Sequence, residues 1–254
     1  LENVVGNLYD ELCDSKFIPL DFELGFSDKK GSLPSLRVKD KDFELEITGY
    51  VDRVDGYEKD GVLYLRVIDY KTGNKRFSLD EVLNGIGIQM LLYLFALKTH
   101  GESRYKKPVV PAGVLYVPAS DGIIDYAPDR GEEKEKSERD KLMRRKGVLI
   151  DDYEILCAMD KNLINGSSRY LPVKINKDGD FHSKAGVLDA KGFDRLNRRI
   201  NELVREIGLE LTRGNIEANP YYHFNTSACD YCDYKGACHF DEISGSDRKR
   251  PLIR

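Results

Sequence analysis

Two carboxylates and a lysine are spaced so that one pair of strands could gather them. Asp69 and Lys71 lie two apart in Ile68-Asp69-Tyr70-Lys71, so they project from the same face of an extended strand. Asp52 ends the run Gly49-Tyr50-Val51-Asp52, and a neighbouring strand would bring it to that face. Two carboxylates offer hard oxygen ligands to Mg²⁺ or Mn²⁺; Mg²⁺ keeps several waters and takes up substrate phosphate as well. Such a metal polarises a phosphoryl oxygen and lowers the pKa of its bound water. A lysine beside it can orient or deprotonate that water and offset developing charge. The chemistry of the set is phosphodiester hydrolysis. Asp-x-Lys alone is a weak pattern, because an exposed ion pair at a strand end reads the same way.

The elements expected around these residues strengthen the pattern. Phe43, Leu45 and Ile47 alternate with acidic residues, and the run continues through Tyr50 and Val51 to Val54, as on a half-buried strand. Asp55-Gly56 and Asp60-Gly61 mark the turn region. Val62 to Tyr70, rich in β-branched and aromatic residues, returns as the second strand. Ser78 and Glu81 form a capping-box pattern that announces a helix to about Thr99. That helix is apolar nearly all round and therefore buried. Its glycines, Gly85 and Gly87, are tolerable where something approaches the backbone closely. Gln89 and Tyr93, four apart, share one face of it. A Gln on such a helix needs a partner, either a backbone group or the metal and phosphate of the site.

The rest of the chain supplies the frame. Residues 1–14 carry Val4, Val5, Leu8 and Leu12 on one helical face, and Leu20 to Phe26 reads as extended. Val109 to Val117 is a further strand. Phe193, Leu196, Ile200, Leu203, Val204, Ile207 and Leu211 form the stripe of an amphipathic helix that Gly214 ends. The highly charged stretch 121–146 reads as a mobile insertion or an exposed helix. The whole is expected to be one domain over 1–245, followed by a basic, disordered tail over 246–254.

Bulk composition narrows the class. The 254 residues are 41% hydrophobic, enough for a core, and 33% charged, with a formal net charge of −4. Binding to nucleic acid must therefore use local basic patches rather than overall charge. Lys75 and Arg76, just after the Asp-x-Lys strand, are the best placed to meet a phosphate. The groups Arg104, Lys106, Lys107 and Arg144, Arg145, Lys146 read more simply as solvated surface. No apolar run approaches the roughly 20 residues that span a bilayer, and no signal peptide is visible. A cytoplasmic setting is expected.

Cys229-x2-Cys232-x5-Cys238 places three of the five cysteines within ten residues. Without a secretory signal this spacing points to metal rather than disulfides. Thiolates suit zinc or an iron–sulfur cluster. Cys13, Cys157, His223 or His239 could complete a four-ligand site.

Taken together, Gly49 to Asp55 (GYVDRVD), Ile68 to Lys71 (IDYK) and Gln89 to Tyr93 (QMLLY) resemble the RecB-type branch of the PD-(D/E)XK nuclease superfamily. Within it, the sequence is similar to the C-terminal nuclease domains of the AddB type from bacterial helicase–nucleases. Phe17 to Phe26 with Glu23, Lys146-Gly147-Val148-Leu149 and Asn219-Pro220-Tyr221 extend the resemblance over nearly the whole chain. It implies an α/β, restriction-endonuclease-like fold: a central mixed β-sheet flanked by helices, with a Cys-rich C-terminal clasp. It implies that Asp52 and Asp69 bind Mg²⁺, that the Tyr70 carbonyl is a further ligand, that Lys71 is the catalytic lysine, and that Gln89 and Tyr93 line the site. It also implies action on DNA, as single-stranded ends from an unwound duplex, in double-strand-break repair. The implied partner is a helicase–nuclease subunit of the AddA type in the bacterial cytoplasm.

The three cysteines would by the same resemblance join one distant upstream cysteine around a [4Fe–4S] cluster. Two departures stand out. Val51 occupies the place where the superfamily's motif has Pro, and no His precedes the core motifs, since all four fall at 100, 182, 223 and 239. The sequence-based expectation is that an upstream metal-site helix and the fourth cluster cysteine lie before Leu1, leaving both sites incomplete here.

Overall fold

The computed structural model describes residues 2–73, 76–120, 131–163, 166–176, 181, 186–223, 226–238, 240 and 252. Helix α1 (Glu2–Asp14) leads into strand β1 (Ile18–Phe26). A small hairpin of β2 (Leu36–Lys39) and β3 (Glu44–Ile47) follows, then the long strands β4 (Gly49–Lys59) and β5 (Val62–Lys71). Helices α2 (Leu79–Leu83) and α3 (Gln89–Tyr105) come before β6 (Val109–Pro118). Helix α4 (Glu132–Met143), strand β7 (Lys146–Ile150) and helix α5 (Tyr153–Met159) come next. Short strands β8 (Gly166–Ser167), β9 (Lys174–Ile175) and β10 (Val187–Leu188) precede the long helix α6 (Ala190–Thr212). A two-strand ribbon, β11 (Tyr222–His223) with β12 (Thr226–Ser227), and helix α7 (Lys235–Cys238) complete the order.

The main sheet runs β1-β4-β5-β6-β7-β10. Its first three strands are antiparallel, β5 and β6 are parallel, β6 and β7 antiparallel, and β7 and β10 parallel. The two central strands are the most deeply buried. Leu65, Val67, Ile68, Val114, Leu115 and Val117 have no exposed surface, as expected of strands covered on both faces. Helix α3 packs over β5 and β6 and touches α6. The expected mixed sheet with flanking helices is the architecture observed.

Local chemistry explains where expectation and structure part. The hairpin turns at Asp60-Gly61, whose φ values of 51° and 78° suit a two-residue turn with both centres left-handed. Asp55-Gly56, expected in the turn region, lies inside β4, and Asp55 is fully buried. The strand expected from Phe43 to Val54 is two strands, with Thr48 between β3 and β4. The single helix expected from Ser78 to Thr99 is also two. Ser78 does cap α2, accepting from the Glu81 N–H, but Gly85 and Gly87 at φ 88° and 69° break the helical path. Gln89 therefore opens α3 instead of sitting within a helix.

Of the stretch 121–146, residues 121–130 lie outside the described residues; the remainder forms α4 and the first residue of β7, so the expected mobile insertion does not extend to 146. The buried stripe of α6 ends at Val204. Ile207 and Leu211 are exposed at 44% and 68%, because the helix there passes Gly208 over the ring of Phe43 rather than over the core. Apart from residue 252, the tail from 246 lies outside the described residues.

Candidate active site

The β4–β5 ladder ends at the pair Arg53↔Ile68. Asp52 and Asp69 are the next residues on the two strands, so the hairpin carries the two acids to one end of the sheet. Asp52 is held there by a specific bond. Its Oδ2 accepts the Tyr70 backbone N–H at 2.8 Å, taking the place of a ladder carbonyl. Asp69 and Lys71 share a face of β5, and Lys71 Nζ lies 2.5 Å from Asp69 Oδ2. Their side chains are 17% and 36% exposed, at the rim between core and solvent. Asp69 Oδ2 is itself buried and, despite the short contact with Lys71, has no hydrogen bond of good geometry.

Helix α3 supplies the next two residues. The Gln89 side-chain amide donates to the Tyr93 hydroxyl at 3.1 Å, so its polar partner is Tyr93. The Tyr93 ring stacks on Phe26 with centroids 4.9 Å apart. A Cβ on Gly49 would stand 1.8 Å from the Tyr93 hydroxyl. Gly49 is therefore the space into which Tyr93 fits, and it ties the helix to the start of β4.

Tyr116 is an addition that the sequence did not single out. It pairs with Asp69 across β5 and β6, so its side chain lies on the face of Asp69. Burial, with the negative charges of Asp69 and Glu81, pushes its pKa up to about 12. It stays a neutral phenol beside the acids. A tyrosine in an apolar strand, Gly113-Val114-Leu115-Tyr116-Val117, reads as ordinary core, which is why pattern alone could not find it.

On the opposite face of the hairpin lies a buried charge network. Arg53 pairs with Asp55 at 2.8 Å and Arg66 with Asp55 at 2.9 Å, while Arg66 and Arg145 reach Glu11 at 3.2 and 2.6 Å. All five side chains are at most 3% exposed. The three cations outnumber the two acids, and aromatic faces offset the excess. Arg53 lies 5.6 Å from the Tyr70 ring centroid, Arg66 5.3 Å from Phe17 and Arg145 5.5 Å from Tyr170.

Burial alone would raise the Glu11 pKa, but Arg145, Arg66 and Arg53 outweigh it and hold it below the ordinary value. Burial would likewise lower the Arg53 pKa, and Asp55, Tyr70 and Glu11 outweigh it in turn. Arg53 Nη1 donates to the Tyr70 hydroxyl at 2.5 Å. The residue whose N–H holds Asp52 is thus anchored by its phenol from the far side. Arg145, expected as solvated surface, belongs to this network instead.

Not every expected residue joins the site. Lys75 lies outside the described residues, and Arg76 lines a neighbouring cleft. Cys232 and Cys238 are exposed and Cys229 half-buried. Among the described residues, no group of three or more His, Cys, Asp or Glu is arranged to hold a metal ion. The three thiols, as placed, therefore do not form a metal cage. The active-site donor set is smaller but consistent in kind. Two carboxylates on adjacent strand ends, one with an oxygen lacking a proper donor, offer only hard oxygen atoms. That fits a divalent cation that keeps most of its waters.

A sheet of this order, with an acid from each strand of a hairpin and a lysine two residues after the second, defines a nuclease-type fold and site. Residues 4–239 match the family model described as the PD-(D/E)XK nuclease superfamily, and the chain belongs to that superfamily. It is 37% identical over 230 residues to the B subunit of the ATP-dependent helicase/deoxyribonuclease of Oceanobacillus iheyensis, covering 90% of this chain and 20% of that protein. The Bacillus subtilis protein of the same name is 35% identical over 250 residues, 98% of this chain and 21% of its own length. The Acetivibrio thermocellus one is 36% identical over 228 residues, 89% and 20%. The chain spans about a fifth of the length of these curated relatives. No helix among the described residues is long and apolar enough to cross a membrane.

Proposed function

We propose that this chain is the nuclease domain of a helicase–nuclease subunit, hydrolysing phosphodiester bonds in DNA. The observation that carries the reading is the pairing of Asp52, tied to Tyr70 N–H at 2.8 Å, with Asp69, which has Lys71 2.5 Å away. Asp52, Asp69 and the Tyr70 carbonyl would hold Mg²⁺ or Mn²⁺, which when bound supplies Lewis-acid activation and a more acidic water. Lys71 orients the attacking water and offsets charge on the phosphoryl oxygens. Gln89 and Tyr93 line the site from α3 and, with Gly49, keep that helix seated against β4. Lys75 and Arg76 would meet the DNA backbone.

The names of the relatives support a subunit that works with a helicase partner of the AddA type in the bacterial cytoplasm. The substrate would then be single-stranded ends released by unwinding, and the process double-strand-break repair. A free-standing exonuclease of the same branch is the alternative. A module that only binds DNA is disfavoured, because the acids, the lysine and the glutamine are all present. The cysteine triplet, by its spacing, would supply three ligands of a [4Fe–4S] clasp, or of a zinc site, with the fourth from elsewhere in the protein. Iron and sulfide analysis of the full-length protein separates the two metals.

Degradation of labelled single-stranded DNA by the full-length protein tests the reading, with Asp69→Ala and Lys71→Ala beside the parent. A parent as inert as both variants in the presence of Mg²⁺ removes the nuclease assignment.

A further inference from the structure

Beside the catalytic residues, on the same face of the sheet, lies a cleft of about 490 Å³ that includes Arg76, Phe77, Lys146 and Pro172 in its walls. Its relation to the site follows from strand register. Asp69 pairs with Tyr116, and Tyr116 pairs with Lys146. Directly paired residues share a face, so Asp69, Tyr116 and Lys146 form one row across β5, β6 and β7. With strands about 4.8 Å apart, Lys146 begins about 10 Å from Asp69. Phe77 closes the gap, its ring 6.5 Å from that of Tyr116. Arg76 reaches the cleft from the segment after β5, so a cation stands on either side of an aromatic ring.

The geometry points to this cleft as a nucleotide subsite for single-stranded DNA next to the reacting phosphate. In it Lys146 and Arg76 take up neighbouring phosphates, and Phe77 carries a base. The inference rests on the nuclease reading above and extends it to residues the active site does not use. Three features favour a single strand over a duplex. An aromatic ring between two cations is the arrangement by which proteins bind unpaired bases without reading sequence. Pro172 gives the facing wall a rigid apolar surface. The row also leads directly from the metal-site acid into the cleft, so one strand could lie along it without bending. Cations here contact phosphate and position the strand; they do not specify its sequence.

Crosslinking tests the subsite. Oligothymidylate carrying one 5-iododeoxyuridine is irradiated with the full-length protein in Ca²⁺, and crosslinked peptides are mapped. The expected product joins the base to the peptide holding Phe77. The Phe77→Leu variant should reduce it at least fivefold and Phe77→Tyr should restore it, since one stacked base contributes about a factor of five or more. Arg76→Gln with Lys146→Gln should raise KM for oligothymidylate cleavage about tenfold and reduce the slope of log KM against log salt by about 1.4, as for two single-strand phosphate contacts. Crosslinks mapping elsewhere, with an unchanged salt slope, overturn the subsite while leaving the nuclease reading intact. Crosslinking at Phe77 by a protein that cleaves nothing in Mg²⁺ supports the subsite and removes the nuclease reading instead.

Discussion

The backbone N–H of Tyr70 lies 2.8 Å from Oδ2 of Asp52, so the strand that carries the second acid of the site also holds the first. The bond gives Asp52 two separable roles. Asparagine keeps an acceptor for the Tyr70 N–H but loses the anionic charge; alanine loses both. Asp52→Asn should therefore abolish DNA cleavage with stability close to that of the parent. Asp52→Ala should abolish it and also lose about 1–3 kcal/mol, since a backbone N–H is left without its acceptor. Urea unfolding of the two variants checks this, and equal stabilities would show that the bond contributes nothing.

Gly49 and Tyr93 make a second, steric prediction. A methyl group at position 49 would overlap the Tyr93 hydroxyl. Gly49→Ala should push Tyr93 off its stacking position on Phe26, break the Gln89 contact and lower both stability and cleavage rate. Removing the hydroxyl as well, in Gly49→Ala/Tyr93→Phe, should recover part of the lost stability. A double variant as unstable as Gly49→Ala would mean the strain lies elsewhere.

The buried network behind the site predicts a pH dependence. The folded-state pKa of Glu11 is held below its ordinary value near 4.5. Its stabilising contribution is therefore complete above about pH 4.5 and is lost as pH falls through the lowered value. Glu11→Gln should cost about 3–5 kcal/mol at pH 7, because Arg66 and Arg145 lose their shared buried partner. The variant should also show a shallower fall of stability in acid than the parent. Thermal unfolding from pH 7 to pH 3 measures both effects, and parallel curves would contradict the assignment.

How much of this was legible in the sequence varies with the physics involved. The hairpin and its acids could be read because strand alternation and a turn dipeptide are local signals, and Asp60-Gly61 obeys them. The amphipathic start of α6 was legible for the same reason. The break between α2 and α3 was not. Gly85 and Gly87 look tolerable within a helix, and only their left-handed conformation shows that they end one. Arg53, Asp55 and Arg66 were invisible as a unit. Charged residues on a strand read as exposed, and their burial depends on Glu11 and Arg145 arriving from 42 or more residues away in sequence. Tyr116 and the cleft beyond it depend on the pairing of β5, β6 and β7, which no local pattern encodes. The cysteine spacing was legible as a motif, yet the fold as described does not gather the three thiols.

The measurement closest to the central claim is cleavage of labelled single-stranded DNA by the full-length protein in Mg²⁺, with Asp69→Asn and Lys71→Met variants tested at matched folding stability. Each substitution preserves side-chain bulk while removing one charge of the pair. The expected result is strong cleavage by the parent, loss of at least about a hundredfold in both variants, and no activity for any of them in EDTA. Parent-like cleavage by Asp69→Asn, or cleavage that survives EDTA, would contradict the account.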